Sequence, residues 1–296
     1  MLLYSLVRTK TRGLVATIAT AGAFVLAAVG VSSAAAAPDP SPPGSNRFDC
    51  EPSAAHPRPV VLVHGLGATQ SANWSYMAPR LASAGYCVFS LTYGVDPRTT
   101  ALPYAPGGVV PMEQSATELQ AFVDRVLAAT GASEVDLVGH SEGTVMPRYY
   151  LERLGGAAKV DKFVAMTPLW RGTNIGGLAS LRLALAPYGL SQPIVDLVAS
   201  FCASCPQFLT GSDYLDDLNA DGEAVPGVKH TNIITRYDLL VIPYTSGLMR
   251  DGGKNIILQK RCPLNLSDHT LVAFDPVVLR LIRNALDPAS PAPVRC

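Results

Sequence analysis

Residues 135–143, Val-Asp-Leu-Val-Gly-His-Ser-Glu-Gly, are the stretch that decides the fold of this 296-residue chain. The apolar run at 135–138 predicts a strand that is buried on both faces. Residues 142–154 then predict a helix, which Gly155-Gly156 ends. A Gly-x-Ser-x-Gly sequence between a strand and a helix is typical of a sharp turn that lifts the serine hydroxyl clear of the sheet. The segment therefore predicts that Ser141 is a nucleophile.

Strand and helix signals alternate on both sides of this turn. Further helices are predicted at 112–130, where apolar residues form one stripe, and at 276–286. The predicted strands are residues 60–63, 86–91, 135–138, 162–166, 231–235 and 255–258. This alternation predicts a mostly parallel six-stranded sheet flanked by helices. Together with the serine turn, it indicates an α/β-hydrolase fold.

The alternation lapses between residues 171 and 228, where Pro187, Pro193 and several glycines break short apolar pieces. In this architecture such an excursion lies above the carboxyl ends of the strands. It predicts a lid or an acyl-binding wall. A structural insertion without any gating role stays an open alternative.

A serine hydroxyl needs a histidine base, and in this fold the chain order is serine, then acid, then histidine. Only His230 and His269 follow Ser141. His230 precedes a predicted strand, at the end away from the site, so we interpret it as structural. His269 follows the last predicted strand and is the expected base.

Four aspartates compete to be the acid that orients the base. Asp238 comes just past the carboxyl end of the penultimate predicted strand, where the acid belongs. Asp251 lies farther on in a glycine-rich loop, Asp268 is adjacent to His269, and Asp275 follows it. Chain order and placement therefore favour Asp238.

The oxyanion of the reaction would need two backbone N–H donors. Residues 64–67, His-Gly-Leu-Gly, follow the first predicted strand and would aim the Leu66 N–H at the site. The Glu142 N–H, at the positive end of the helix after Ser141, would be the second donor. We expect Leu66 and Glu142 to form the oxyanion hole.

The amino-terminal residues predict export. Three basic residues precede an apolar run at 13–31 and a Ser/Ala-rich segment, so residues 1–37 are interpreted as a signal peptide. An uncleaved membrane anchor is the alternative. Residues 38–47 then form a proline-rich extended lead-in, and 48–296 a single catalytic domain. The chain is expected to be secreted or associated with the cell envelope.

Charge and cysteine content restrict the partners. A formal net charge of zero argues against a nucleic-acid partner, and we expect a monomer. An even number of cysteines in an exported chain favours disulfide bonds. Spacing alone leaves the pairing open, and Cys202-Ala-Ser-Cys205 also allows a redox pair or half a zinc site. The cysteines are Cys50, Cys87, Cys202, Cys205, Cys262 and Cys296.

Several of these stretches resemble the secreted bacterial lipases of the class 2 type and, more distantly, fungal lipase B. The resemblance is carried by residues 139–143 (Gly-His-Ser-Glu-Gly), 231–238 (Thr-Asn-Ile-Ile-Thr-Arg-Tyr-Asp) and 262–269 (Cys-Pro-Leu-Asn-Leu-Ser-Asp-His). It implies a triacylglycerol lipase or carboxylesterase that takes a lipid or small ester substrate, touches lipid interfaces transiently and needs no metal or organic cofactor.

The same resemblance implies roles for particular residues. It assigns Ser141, Asp238 and His269 to a catalytic triad, and Leu66 and Glu142 to the oxyanion hole. It also implies three disulfide bonds, namely Cys50–Cys87, Cys202–Cys205 and Cys262–Cys296. An acyltransferase would share these features, because the same triad serves both reactions. A non-catalytic envelope-binding protein on the same scaffold, which is the less favoured alternative, would be expected to lose part of the triad.

One departure from the family concerns the residue after the serine. The family usually has Gln and a second Gly where this chain has Glu142 and Thr144. An ionised carboxylate roughly 7 Å from the oxyanion, at an effective dielectric of about 20, would cost about 2 kcal/mol by repulsion. The departure affects the expected rate and not the reaction class.

Overall fold

The computed structural model describes residues 40–100 and 104–296, so the predicted signal peptide lies outside the described residues. Within them, six strands form one sheet in the order β2-β1-β3-β4-β5-β6, and every neighbouring pair is parallel. The strands are β1 (Val60–Val63), β2 (Val88–Leu91), β3 (Val135–His140), β4 (Val160–Met166), β5 (Lys229–Ile234) and β6 (Gly253–Ile257). The predicted six-stranded α/β fold is confirmed.

The strands match the predicted positions within about two residues. Every residue of β1, β2, β3 and β4 is buried, because helices cover both faces of the sheet. The edge strand β6 buries only Ile256, in keeping with its solvent-facing side. The continuous apolar runs of the sequence thus mark the strands that are buried on both faces, the edge strand β2 among them.

The helices divide between the two faces of the sheet. In chain order they are α1 (Gln70–Trp74), α2 (Met77–Ala82), α3 (Met112–Thr130), α4 (Glu142–Arg153), α5 (Leu178–Leu185), α6 (Ser191–Ala199), α7 (Asp213–Leu218), α8 (Leu258–Arg261) and α9 (Pro276–Leu286). One core cluster packs α3 and α4 against the sheet, and a second packs α1, α2 and α9 against the other face. Helices α1 and α2 are too short to show a helical period, so the sequence contains no signal for them.

A buried arginine in α4 connects this helix to the end of α7 and the loop that follows it. The Arg148 guanidinium donates to Glu152 Oε1 at 2.5 Å, to Asn219 Oδ1 at 2.6 Å and to the Leu218 carbonyl oxygen at 2.7 Å. Nη2, which makes the contacts to Glu152 and Leu218, also lies 3.0 Å from the Gly222 carbonyl oxygen, so its two N–H groups are shared among three acceptors. The guanidinium therefore satisfies the carbonyl groups of this loop and shapes it.

The structure forms the three disulfide bonds that the family resemblance implies, with Cys50 joined to Cys87, Cys202 to Cys205, and Cys262 to Cys296. In the chain-entropy estimate, the two bonds that close longer loops each stabilise the fold by about 4 kcal/mol, and the short one by about 2 kcal/mol. They join the segment before β1 to the segment before β2, close one turn inside the excursion, and hold the carboxyl terminus to the end of α8.

The excursion at 171–228 contains α5, α6 and α7. Helix α6 buries none of its residues, and α5 buries only Ala179. Thr173, which is itself buried, donates from Oγ1 to the Leu240 carbonyl oxygen at 2.6 Å and accepts the Ile242 N–H at 3.0 Å. The start of the excursion is therefore held against the loop after β5. Across residues 40–100 and 104–296, no helix has the length and apolar character to span a membrane.

Candidate active site

Ser141 lies at the turn between β3 and α4 with a backbone φ of 55° and ψ of −122°. This region disfavours any residue other than glycine, and such strain is typical of functional positions. The Ser141 N–H donates to the Met166 carbonyl oxygen at 3.0 Å, which fixes the turn to the neighbouring strand β4. The turn places the serine at the carboxyl end of the sheet, on the wall of a cavity.

The two motif glycines are required by close backbone packing. A Cβ on Gly139 would overlap the Gly143 carbonyl oxygen, and a Cβ on Gly143 would overlap the Val63 carbonyl oxygen. Helix α4 can begin this close to β1 and β3 only because both side chains are absent. Thr144, where the family usually has glycine, is buried and donates from Oγ1 to the Ser141 carbonyl oxygen at 2.6 Å.

His269, which lines the same cavity, and Asp238 form a buried hydrogen-bonded pair. His269 Nδ1 lies 2.9 Å from each carboxyl oxygen of Asp238. Asp238 Oδ1 also accepts the Leu240 N–H at 3.0 Å and the Val241 N–H at 2.7 Å, so the carboxyl group is held in one orientation. A neutral ring that donates Nδ1–H to this carboxyl group has Nε2 as its basic nitrogen. The structure thus brings together the three residues predicted for the triad.

A hydrogen-bond network that sequence reasoning missed joins the loops that carry these two residues. Thr235 Oγ1 donates to the Ser267 carbonyl oxygen at 2.6 Å, and Gln259 Nε2 donates to Thr235 Oγ1 at 2.9 Å. Gln259 also accepts the Arg236 N–H at 2.8 Å, while Ser267 Oγ donates to Asp275 Oδ2 at 2.5 Å. No local motif marks these residues, because each bond joins segments that are distant in sequence.

The other candidate acids have structural partners instead. Asp251 accepts the backbone N–H groups of residues 223 and 224. Asp268 accepts the N–H groups of Thr270 and Leu271, and Asp275 caps the start of α9. None of the three is hydrogen-bonded to His269 among the described residues. Asp238 is therefore the acid that the structure pairs with the histidine.

The alternative histidine is also placed elsewhere. His230 lies near the amino end of β5, and its Nε2 accepts the Val225 N–H at 3.1 Å. Burial lowers the pKa of His230 to about 4, so its ring is neutral at neutral pH. The position agrees with the structural role that the sequence indicated.

The two predicted oxyanion donors border the cavity beside Ser141. Within residues 40–100 and 104–296, neither the Leu66 N–H nor the Glu142 N–H donates to another protein group. The loop that carries Leu66 is braced, because the Gly67 N–H donates to the Gly107 carbonyl oxygen at 2.9 Å and the Gly107 N–H to that of Ala68 at 3.0 Å. Two backbone N–H groups of residues that border the cavity are thus available to an acceptor.

The Glu142 side chain is buried, with 1% of the residue exposed. Its Oε2 lies 3.5 Å from Ser204 Oγ, and its Oε1 has no partner among the described residues. Burial raises the pKa of Glu142 well above its ordinary value, because it disfavours the charged form of the carboxyl group. The repulsion expected from the sequence assumed an ionised carboxylate, which is the form that burial opposes.

The cavity next to Ser141 has a volume of about 390 Å³ and a mostly apolar wall. Its lining comes from the loop after β1, the start of the excursion, and the loops that carry Asp238 and His269. The apolar residues on the wall are Leu66, Ala68, Ala72, Leu169, Ile175, Phe208, Leu240, Val241, Ala273 and Phe274. Such a wall suits a hydrocarbon chain attached to a group that reacts at Ser141.

Comparisons with solved structures agree with the fold. Lipase B of Aspergillus fumigatus superposes with a TM-score of 0.62 at 18% identity, covering 88% of this chain and 63% of that one. The mature lipase BlEst2 of Bacillus licheniformis superposes with a TM-score of 0.56 at 15% identity, covering 84% of this chain and 96% of that one. At these identities the likeness concerns the fold alone.

Sequence comparisons identify the family. A triacylglycerol lipase of Pseudarthrobacter phenanthrenivorans is 34% identical over 147 residues, which is 46% of this chain and 41% of that protein. One of Burkholderia plantarii is 33% identical over 147 residues, or 46% of this chain and 36% of that protein. The match thus spans about two fifths of each relative's length. Residues 57–277 match the family model described as Lipase (class 2), and the chain belongs to that family.

Proposed function

We propose that this chain is a secreted serine hydrolase that cleaves carboxylic esters of lipids, as a triacylglycerol lipase or carboxylesterase, through an acyl-enzyme on Ser141. The observation that carries the proposal is a strained serine that shares one apolar cavity with His269, whose ring is hydrogen-bonded to Asp238. Membership of the class 2 lipase family supports the substrate class.

In the first half of the reaction, Ser141 Oγ attacks the acyl carbonyl carbon while His269 Nε2 takes the hydroxyl proton. Asp238 stabilises the imidazolium that results. The carbonyl oxygen gains negative charge between the N–H groups of Leu66 and Glu142. The tetrahedral intermediate collapses when the ester C–O bond breaks and His269 returns the proton to the leaving alcohol.

In the second half, water replaces the alcohol. His269 takes a proton from this water, whose oxygen attacks the acyl carbon of the Ser141 ester. Collapse of the second intermediate releases the carboxylic acid and restores the serine hydroxyl. These steps use groups of the chain and water, so they require no added cofactor.

Exposed apolar side chains on the excursion and on two loops that line the cavity support transient contact with a lipid surface. Phe201 is 81% exposed and Leu197, on α6, is 64% exposed. In the loops that carry Asp238 and His269, Leu239 is 71% exposed and Leu271 is 53% exposed. Side chains of this kind gain free energy by entering an apolar phase, which would bring the cavity to ester substrates at an interface. We propose that a monomer makes this contact.

Three disulfide bonds support an extracellular location, because such bonds persist in oxidising compartments. The predicted signal peptide of residues 1–37 agrees with this proposal. Export can be tested by expressing the full chain in a secreting host and determining the amino terminus of the protein found in the medium. Retention of the full chain in the membrane fraction would contradict it.

The central experiment is labelling with a fluorophosphonate, which reacts with activated serines. We expect wild type to be labelled, Ser141→Ala not to be labelled, and Ser83→Ala, which alters an exposed serine outside the site, to react like wild type. Rates on soluble and emulsified esters of increasing chain length would then separate an esterase from a lipase. Absence of labelling in wild type would refute the proposal, and acyl transfer to an added alcohol that outpaces hydrolysis would identify an acyltransferase.

A further inference from the structure

The proposed reaction depends on two loops that come from different parts of the chain. His269 lies in the loop after α8, whereas the oxyanion donor Leu66 lies in the loop after β1. A general base and an oxyanion donor contribute to catalysis only when both are correctly positioned relative to the same reacting carbonyl group. The structure should therefore contain a connection between the two loops.

His140, the residue before the serine, lies between them. Its Nε2 is 2.8 Å from the His269 carbonyl oxygen, and its Nδ1 is 2.9 Å from Asn73 Oδ1. Asn73, on α1, accepts the Gly65 N–H at 3.1 Å through the same oxygen. A continuous chain of polar contacts thus runs from the base loop through His140 and Asn73 to the residue preceding Leu66.

The surroundings of this chain suit a rigid connection. His140 is 6% exposed and Asn73 is 5% exposed, and both border the cavity. Burial lowers the pKa of His140 to about 3, so its ring stays neutral at neutral pH and is not a proton donor in the reaction. A neutral ring has one N–H, which it donates to only one of its two oxygen neighbours at a time.

We propose that His140 and Asn73 are positioning residues for the ester hydrolysis proposed above, and that they fix the base loop relative to the oxyanion loop. Neither residue has to contact the reacting atoms for this role. Displacement of a catalytic group by about 1 Å can lower a rate by about 100-fold, so the loss of one link would be visible in kinetics. The inference rests on the proposed function.

The simpler interpretation is that His140 and Asn73 only fill the core. The chain offers a matched control for each. His230 is 4% exposed, has one backbone hydrogen-bond partner and does not border the cavity. Asn232, on β5, is fully buried and donates to Asn255 Oδ1 of the edge strand β6 at 3.0 Å.

The test compares His140→Phe and Asn73→Ala with the control variants His230→Phe and Asn232→Ala. We expect each site variant to lower kcat by about 10-fold to 100-fold with a KM near that of wild type, because positioning affects the transition state more than ground-state binding. The rate of fluorophosphonate labelling should fall in parallel. The controls should lower the unfolding temperature while kcat stays near that of wild type.

Two further variants separate positioning from packing. His140→Gln retains an N–H donor toward the His269 carbonyl oxygen and should recover part of the lost kcat. The double variant His140→Phe/Asn73→Ala should lose no more than the worse single variant, because removing either member already breaks the chain of contacts.

The outcomes are distinguishable. Wild-type kcat in Asn73→Ala would overturn the inference, and so would wild-type kcat in both His140→Gln and His140→Phe. Losses of kcat that multiply in the double variant would also overturn it, as would losses in the controls that equal those of the site variants. If His140→Phe does not fold, Asn73→Ala decides alone, and wild-type kcat there refutes the role. An inactive and unlabelled wild type would instead refute the proposed function.

Discussion

Replacing Glu142 by Gln tests whether the buried carboxyl group next to the serine is neutral. The group faces Ser204 from the excursion, and Gly108 lies against it. Tyr93 and Tyr214 are the titratable side chains on which its charge would act, and burial raises the pKa of each, so both are neutral at neutral pH. With no cation in this set, an ionised Glu142 would have no charge to compensate it.

The sign of the pH effect follows from the two states of the chain. In the unfolded chain Glu142 titrates near its ordinary value of 4.5, whereas burial raises its pKa well above that in the folded chain. Between these two values the folded state binds a proton that the unfolded state has lost. The free energy of unfolding of wild type therefore falls by about 1.4 kcal/mol per pH unit as the pH rises through this window.

The amide of Glu142→Gln has the shape of a neutral carboxyl group and cannot ionise. The difference in unfolding free energy, variant minus wild type, should therefore increase by about 1.4 kcal/mol per pH unit above pH 4.5. Urea unfolding of both proteins at pH 5, 6, 7 and 8 measures this slope. The hydrolysis rate at pH 7 should stay within about threefold of wild type, because the backbone N–H that serves the oxyanion is unchanged.

Glu51→Gln is the control, because Glu51 is exposed. The difference in unfolding free energy between this variant and wild type should not change with pH in the same window. A difference between Glu142→Gln and wild type that is constant from pH 5 to pH 8 would refute the reasoning, since it would mean that Glu142 is ionised in the folded chain.

Three other changes give direct measurements. Asp238→Asn should lower kcat by about 10,000-fold while the fold persists, since the histidine loses the carboxylate that orients it; unchanged kcat would exclude Asp238 as the acid. Arg148→Ala should lower the free energy of unfolding, measured in urea, by about 3–5 kcal/mol, because it leaves Glu152 and two carbonyl groups without their buried partner. A loss of stability below about 1 kcal/mol would contradict this expectation. The double variant Leu197→Ser/Phe201→Ser should bind lipid vesicles about 10-fold or more weakly, as measured by co-sedimentation, because two exposed apolar side chains are lost. Its hydrolysis of a soluble short-chain ester should be unchanged. Vesicle binding equal to that of wild type would place the lipid contact elsewhere.

The features that the sequence predicted well are local or follow from parallel topology. Ser141 lies in one continuous strand-turn-helix segment, so its placement needed no long-range information. Asp238 and His269 could be selected because loops after parallel strands gather at one edge of the sheet. Strand position and chain order are then enough to reject Asp251 and Asp275, and adjacency to His269 argues against Asp268.

The features that the sequence could not show depend on contacts between distant segments. His140 and Asn73 are separated by 67 positions, and neither has a neighbour in sequence that predicts the contact. Glu142 and Ser204 are separated by 62 positions. From sequence alone, Glu142 was treated as an ionised group at a helix start, because nothing local indicated that the excursion covers it.

The burial of Glu142 explains how a family that usually has Gln at this position can tolerate a carboxyl group. Ser204, which lies between the disulfide-bonded Cys202 and Cys205, donates to the Gly108 carbonyl oxygen at 2.5 Å and closes the space over Glu142. Burial favours the protonated form of this carboxyl group, which has the shape of the amide that it replaces. Glu142 in place of Gln should therefore leave the oxyanion hole intact and appear instead as a free energy of unfolding that falls as the pH rises above 4.5.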